Sequence, residues 1–598
     1  MDDNKKISKV KGYDSKCDVS VNFIDRNETE ALHALVVNTS TAIPDTKQAY
    51  MAGYAEADIT SKLIEMHFDN ILYDQNQTTI DGLPAWDAWY VDLANKQIEY
   101  LKKQIADNPQ DKWWQGVNLI VFQWLQGLTD GYNSLHEKKR PFIDFYLMNT
   151  QGDMDDLGFF HDKQKHNAKK QNGEYDRCTG SVRINPEIND IYFSQDTWTS
   201  FYAGFIRIAK TYLFNFDMGV TKHQQVTFSS YPAYFFSIDD FYILHNKNEA
   251  GKENNLAVLE TTFHTFNETL YSEFVEPVLS KSVLTWVRCQ LSNLMSFTQE
   301  DWVNTFEKEQ SWTYNNNYLV LDYQKLDNVI SSCAKCDAEG RKKYILQNNV
   351  QILLTLEVVP GNNKHWDATP ALLSQGYYLS MNTPVDKQLY IISGYQAENE
   401  ADGNNYWSYE HGARKCITDK VLTKANDLEA FKSFVRFNDY KNEACQNGEP
   451  GAAAIASRYD LRDPAGKRKP TLFGCTDSKV TTLSMAKNFS FIFLVGQTHG
   501  GPSNLPKFNF SEHTAEKRHP LGVHDVLPGV WATINGFGEI YKKDITGVVC
   551  AIVIPCACIA IGLGIWAFIF YKKGGYQKYL KAQGEEEVLV SESDKCVI

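Results

Sequence analysis

Residues 178–198 read CTGSVRINPEINDIYFSQDTW. CTGSVRI alternates polar and apolar residues like a half-buried strand, NPEIND supplies turn chemistry, and IYFSQ reads as the returning strand. The segment therefore predicts a hairpin that begins at Cys178. Just before it, between about His161 and Arg177, the chain runs DKQKHNAKKQNGEYDR, without a large aliphatic residue. Such a stretch cannot add to a core and is expected to be an exposed, cleavable loop. If the peptide bond before Cys178 is cut, that residue gains a free α-amine beside its thiol. An α-amine has a pKa of about 7.7–8.0, so it can take the thiol proton without large tuning. Base and nucleophile then belong to one residue, which fixes their geometry. A lone cysteine at a strand start is otherwise a small core residue. The residues of this segment alone leave both readings open.

Working outward, apolar side chains recur at helical spacing over residues 47–70, 86–106 and 113–128, so the first third is expected to be mainly helical. Residues 198–214 also read as a helix. Beyond them, YLVLDY, ILLTLEVV and LYIISGY read as strands, with helices near 285–297 and 427–435. The pattern is α+β, with strand and helix runs partly segregated.

Further stretches stand beside the hairpin in a fixed order. Upstream are AGYAEADIT, with His67 and Asn70 soon after, and WWQGVNLIVFQWLQGLTDGYN. Downstream are SSYPAYFFSIDDFYIL, LETTFHTFNETL, WVRCQLSNLMS, TYNNNYLVLDY, LEVVPG, GYYLSMNTP, VRFNDY, ASRYDL and CTDSKVTT. In this order the chain resembles the phospholipase B-like (laminin ancestor) family over roughly residues 45 to 535. The resemblance implies a four-layer α-β-β-α N-terminal-nucleophile hydrolase fold, cut before Cys178, with the two pieces staying associated. It implies Cys178 as the nucleophile. Asn315 or Asn316 would help hold the oxyanion, and Thr261 or Thr262 would line the same pocket, with Gln195 and Asp196 beside them. No cofactor or metal is implied. The sequence departs from the family pattern at several places. Gln195-Asp196-Thr197-Trp198 stands where relatives carry HNTW or HTTW, and Trp312 replaces a Gly in SWTYNNNY. Gly474-Cys475-Thr476-Asp477 stands for GGxD, and of a Cys-x-x-Cys near VRFNDY only Cys445 remains, with Asn442 in the other place.

From Ile545 to Tyr571 the sequence has no charge and is long enough to span a bilayer, which needs about 20 apolar residues. Lys572, Lys573, Lys578 and Lys581 follow, so the positive-inside bias puts residues 572–598 in the cytosol and the large domain in a lumen or outside. That orientation calls for an N-terminal signal, which MDDNKKISKV is too polar to be. Either the signal is missed or trimmed, or the protein is tail-anchored with its bulk in the cytosol; the lysine bias and the sequons favour the first. Asn-x-Ser/Thr sequons at Asn27, Asn38, Asn76, Asn267, Asn488 and Asn509 favour the secretory pathway, and the family implies a lysosome-like compartment. The expected organisation is thus 1–160 as the mainly helical first piece, 161–177 as the cleavable linker, 178–544 as the catalytic chain, 545–571 as a transmembrane helix and 572–598 as the tail.

A net charge of −14 without a basic stripe argues against nucleic acid. Cys333-Ala-Lys-Cys336 lacks a second pair for zinc and reads as a local disulfide or two surface thiols. His499-Gly500-Gly501 has no Gly-x-Ser-x-Gly partner, which argues against a serine α/β-hydrolase. The pairs Asp155-Asp156 and Asp239-Asp240 read as turn or surface features rather than glycosidase carboxylates. The function expected is an acyl hydrolase releasing fatty acids from glycerophospholipids. The alternatives are an amidase using the same site, or a membrane glycoprotein that keeps the fold without turnover.

Overall fold

The computed structural model describes residues 9–11, 17–74, 79–80, 83–164, 178–442, 445, 449–466, 468–513, 518–536 and 595–597. Strands such as Cys178–Ile184, Asn316–Asp322, Leu353–Val359 and Phe473–Thr481 are buried at every residue. Strands buried on both faces need cover on both, and the chain supplies it with two stacked sheets clad in helices. The larger sheet runs in the order Lys9–Lys11, Lys595–Val597, Val19–Arg26, Leu32–Thr39, Arg207–Phe214, Thr221–Ser230, Phe241–Leu244, Leu256–Thr262, Asn316–Asp322, Leu353–Val359, Asn362–Asp367. The smaller runs Tyr377–Met381, Cys178–Ile184, Ile191–Ser200, Phe473–Thr481, Ser490–Val495, Trp531–Asn535. The three largest apolar cores among the described residues fill the gaps between the layers. One joins the N-terminal helices to the large sheet (Trp124, Tyr212, Phe228). The second lies between the sheets (Val182, Phe193, Leu259). The third sits outside the small sheet, under Ile417, Phe431 and Phe434. The layers are helix, sheet, sheet, helix.

Two close approaches fix this stack. The long helix Asp45–Asp74 crosses Leu125–Leu135 at glycines: a Cβ on Gly127 would lie 1.9 Å from the carbonyl oxygen of Tyr50. Between the sheets, a Cβ on Gly180 would meet Leu259 Cδ1 at 2.6 Å, which explains the small residue in the CTGS run. Because the atom facing Gly127 is backbone, the helices must part to admit a methyl group. Gly127→Ala is expected to destabilise the fold by about 1–3 kcal/mol or more, read as a lowered midpoint in urea.

Several sequence expectations meet these elements: the helices Asp45–Asp74, Ala88–Asp107, Thr285–Met295 and Leu428–Val435, and the hairpin Cys178–Ile184 with Ile191–Ser200. Residues 113–128 are helical too, with a π-helical turn at Asn118–Trp124. Three readings change. Arg207–Phe214 is a strand paired parallel with Leu32–Thr39, not the end of a helix. The run LYIISGY enters the helix Lys387–Ile392, capped by Asp386, which accepts from the Gln388 and Leu389 N–H groups. The first third also contributes a hairpin, Val19–Arg26 with Leu32–Thr39. Cys333–Cys336 is a disulfide, and Cys416 pairs with Cys445.

The C-terminal expectation is corrected. Among the described residues no helix is long and apolar enough to cross a membrane, and residues 545–571 lie outside the described residues. Lys595–Val597 pairs antiparallel with Lys9–Lys11 and with Val19–Val21. Lys595–Val597 thus belongs to the large sheet. The fold is accordingly stated without a transmembrane helix, and the single-pass membrane localisation with a cytosolic tail goes with it.

Candidate active site

Cys178 opens the second strand of the small sheet, level with Thr197 on one side. On the other side Thr179 pairs with Met381, which puts Asn382 level with Cys178. Its carbonyl oxygen accepts from Arg414 Nη1 at 2.6 Å, and the same guanidinium reaches Thr179 Oγ1 and, at 3.0 Å, Asn382 Oδ1. Arg414 also lies over the Trp198 ring at 4.6 Å. The residue is only 3% exposed and its thiol is free. It borders a cavity of about 230 Å³. Trp198 and Phe473 wall that cavity from the small sheet, Tyr231, Asp239 and Thr262 from the large sheet and its loops, and His67 and Gly152 from the helices. Burial, then the Glu260 and Asp239 carboxylates, push the thiol well above its usual range. A thiol so placed stays protonated and needs a base before it can act.

Behind the cavity runs a chain of buried charges. Arg207 donates to Asp239 at 2.6 Å and pairs with Asp477 at 3.1 Å. Lys479 joins Asp477 to Thr197 Oγ1, both at 2.6 Å, and Thr197 Oγ1 reaches Gln195 Oε1 at 3.3 Å. The Arg207 guanidinium stacks 3.9 Å from the Tyr231 ring. Backbone strain gathers at and next to this cavity, which Ile238 and Tyr314 border. Ile238, Trp312 and Tyr314 all hold left-handed φ values of 52–60°, which cost a β-branched or aromatic residue energy and cluster at functional sites. Trp312 stands in that conformation where the family pattern has Gly.

Of the residues expected from sequence, Cys178 and Thr262 border the cavity. Thr261 is buried and hydrogen-bonds Ser380 Oγ at 2.8 Å. Asn315 Nδ2 donates to the Trp312 carbonyl and Asn316 Nδ2 to Tyr318 Oη, so neither amide is directed at the cavity. Gln195 and Asp196 lie within the small sheet behind it. Asp196 accepts from Ser478, and Gln195 Nε2 has no partner among the described residues. Asp239-Asp240 is not a surface pair, since both are buried, and Asp239 reaches the cavity. Asn382, Arg414 and the Arg207 network escaped sequence reading. Asn382 lies in GYYLSMNTP, and Asp477 and Lys479 lie in CTDSKVTT, but Arg207 and Arg414 fall in none of the family stretches and carried no signal. Of the sequon asparagines, Asn27, Asn38, Asn267, Asn488 and Asn509 are described and none is buried; Asn76 lies outside the described residues.

The family model for phospholipase B matches residues 19–533. The chain belongs to the phospholipase B family. It is 31% identical over 545 residues to phospholipase B-like protein B of Dictyostelium discoideum, covering 89% of this chain and 88% of that protein. It is likewise 31% identical to phospholipase B of Crotalus adamanteus, over 79% of this chain and 80% of that one. Phospholipase B-like 1 of Rattus norvegicus is 30% identical, over 77% of each chain. The resemblance read from the motifs is met, and as a phospholipase B family member the chain is a hydrolase.

The buried carboxyls of this phospholipase B family fold tie its stability to pH. Burial pushes Asp156 up to about 7 and Glu357 up to about 8. Raised folded values mean that the native state binds more protons than the unfolded chain between about pH 4 and 8. Stability therefore is highest below the unfolded carboxyl pKa and falls as pH rises through 7–8. His67 works the other way: burial and two nearby cations hold it at about 3, which costs stability below the ordinary histidine value of about 6.5. Two carboxyls outweigh one histidine, so the melting temperature is expected to rise on acidification from pH 8 and to keep rising until about pH 4.5, near the unfolded carboxyl values. Asp156→Asn with Glu357→Gln should flatten the upper limb in a thermal scan; an unchanged slope would refute the assignment.

Proposed function

We propose that this chain is an acyl hydrolase acting on phospholipid esters, with the Cys178 thiol as nucleophile after the peptide bond before it is cut. The observation that carries the proposal is a buried, free cysteine at a strand start, bordering a cavity, with its carbonyl held by Arg414. The raised thiol supplies the reason for the cut. The carboxylates near it, Glu260 and Asp239, stabilise the thiol rather than the thiolate. The α-amine released by the cut sits on the same residue and can take the proton. The sulfur then attacks the ester carbonyl, and the leaving alkoxide takes the proton from the ammonium. Water, deprotonated by the same amine, next attacks the thioester; the acid departs and the thiol recovers its proton. The oxyanion formed in each step calls for N–H donors fixed in advance. The Asn382 amide stands level with Cys178 but, like the Asn315 and Asn316 amides, is engaged elsewhere, donating to the Thr262 carbonyl at 2.7 Å. Thr262 itself borders the cavity. At about 230 Å³ the space is smaller than the roughly 300–1,000 Å³ of a site for a drug-sized molecule. It takes the reacting end of a substrate, and the acyl tail extends beyond it.

The two pieces of a cut chain would stay together through the large sheet. Leu32–Thr39 of the first piece pairs with Arg207–Phe214 of the second over seven register positions, and both pieces wall the cavity. The test is Edman sequencing of the fragments made in secretory cells. A second fragment beginning Cys-Thr-Gly-Ser supports the proposal. A persistently intact chain refutes it and favours a fold kept without turnover.

A further inference from the structure

His67 is 1% exposed, borders the cavity, and has no hydrogen-bond partner on either ring nitrogen among the described residues. Its place is well determined. The ring stacks on Tyr231 at 5.3 Å and meets the edge of Tyr234 at 5.5 Å. One helical turn on, Asn70 exchanges two hydrogen bonds with the backbone of Leu521, which holds the helix end. The polar groups nearby are already engaged. Lys210 donates to Glu56 and to the Tyr234 carbonyl, Tyr212 donates to Glu56, and Arg207 is shared by two aspartates. A buried polar ring left without partners is costly, and such exceptions in a native fold mark a place for a ligand.

We propose that His67 is a substrate-binding residue, whose imidazole hydrogen-bonds a hydroxyl group of the substrate beside the carbonyl attacked at Cys178. This inference rests on the reading of the cavity as the substrate site. Burial first, then Arg207 and Lys210, hold the imidazole neutral down to about pH 3. A neutral imidazole offers one donor and one acceptor. A hydroxyl answers both, whereas a phosphate oxygen offers only acceptors and an ammonium only donors. Burial first, with the cationic neighbours, thus argues against His67 as a proton carrier for the thiol at neutral or mildly acid pH.

The experiment compares wild type, His67→Gln and His67→Phe in the cut protein, with monoacyl glycerophosphocholine micelles as the probe. Equal cutting before Cys178 and equal melting temperatures establish that the variants fold; should His67→Phe not accumulate, His67→Ala takes its place. The expected result is a KM raised at least tenfold in His67→Phe with kcat within threefold, and a KM within threefold of wild type in His67→Gln, whose amide can also donate and accept. An unchanged KM in His67→Phe, or an equal loss in both variants, overturns the proposal. If wild type hydrolyses nothing, the acyl-hydrolase reading has failed by itself. His67 is then judged by calorimetric binding of glycerophosphocholine. At least tenfold weaker binding to His67→Phe supports the contact, and equal binding, or none to wild type, overturns it.

Discussion

Cys178→Ala is expected to leave the chain uncut before residue 178 and to lower phospholipid hydrolysis by at least about a thousandfold, the scale on which loss of a nucleophile acts. The substitution itself is mild for the fold. The site is buried and closely packed, but only a sulfur atom is lost and the Arg414 bond to the backbone carbonyl remains. Melting temperature should therefore stay near wild type while both activities vanish. Cys178→Ser separates the two roles further, because a hydroxyl can attack slowly but is a far weaker nucleophile near neutral pH than a thiol. Fatty acid release from labelled phosphatidylcholine, measured beside N-terminal sequencing, decides the matter. Turnover by Cys178→Ala at the wild-type rate would sink the mechanism.

Arg207→Met is expected to be the most damaging single change to stability, at about 3–5 kcal/mol. Its guanidinium is fully buried between Asp239 and Asp477 and lies over Tyr231. Removing it leaves Asp477 paired with Lys479 at 2.6 Å, while Asp239 loses its hydrogen-bonded cation, keeps only the field of Lys479, and still repels Asp240 and Glu260. Like carboxylates in one dry site repel and must take up protons. The loss should therefore be larger at pH 7.5 than at pH 5, and Asp239→Asn in the Arg207→Met background should recover part of it. Urea unfolding at both pH values measures this; a difference below about 1 kcal/mol from wild type would show that the network contributes little.

The hairpin at Cys178 was legible because its turn residues and alternation are local signals, and the long amphipathic helix because 30 residues average out exceptions. Residues 207–214 were not. RIAKTYLF is buried on both faces, so it lacks the period of two, and its fate depends on Leu32–Thr39, which lies far back in the chain. The run at 389–395 was equally ambiguous, and Asp386 decided it as a helix cap. At the site, the place of Cys178 after a polar loop left a core cysteine and a nucleophile both open, and only the family resemblance pointed to the second. Asn382 and Arg414 could not be read, since Asn382 comes level with Cys178 only through sheet register, and Arg414 reaches the Cys178 carbonyl only because the helix Ala413–Val421 packs beside that strand. The Asn315-Asn316 pair shows the converse: the residue type suits an oxyanion donor, but the amides are committed to Trp312 and Tyr318.

The parallel pairing of Leu32–Thr39 with Arg207–Phe214 also bears on how the protein would recover from denaturation. An intact chain brings these strands together by closing a loop, a first-order event independent of concentration. After a break before Cys178, the same contact requires an encounter between separate molecules, so renaturation becomes second-order and slows on dilution. A matured sample, once melted, would then regain its form poorly where the precursor regains it well, and its durability would be governed by the rate of opening rather than by equilibrium.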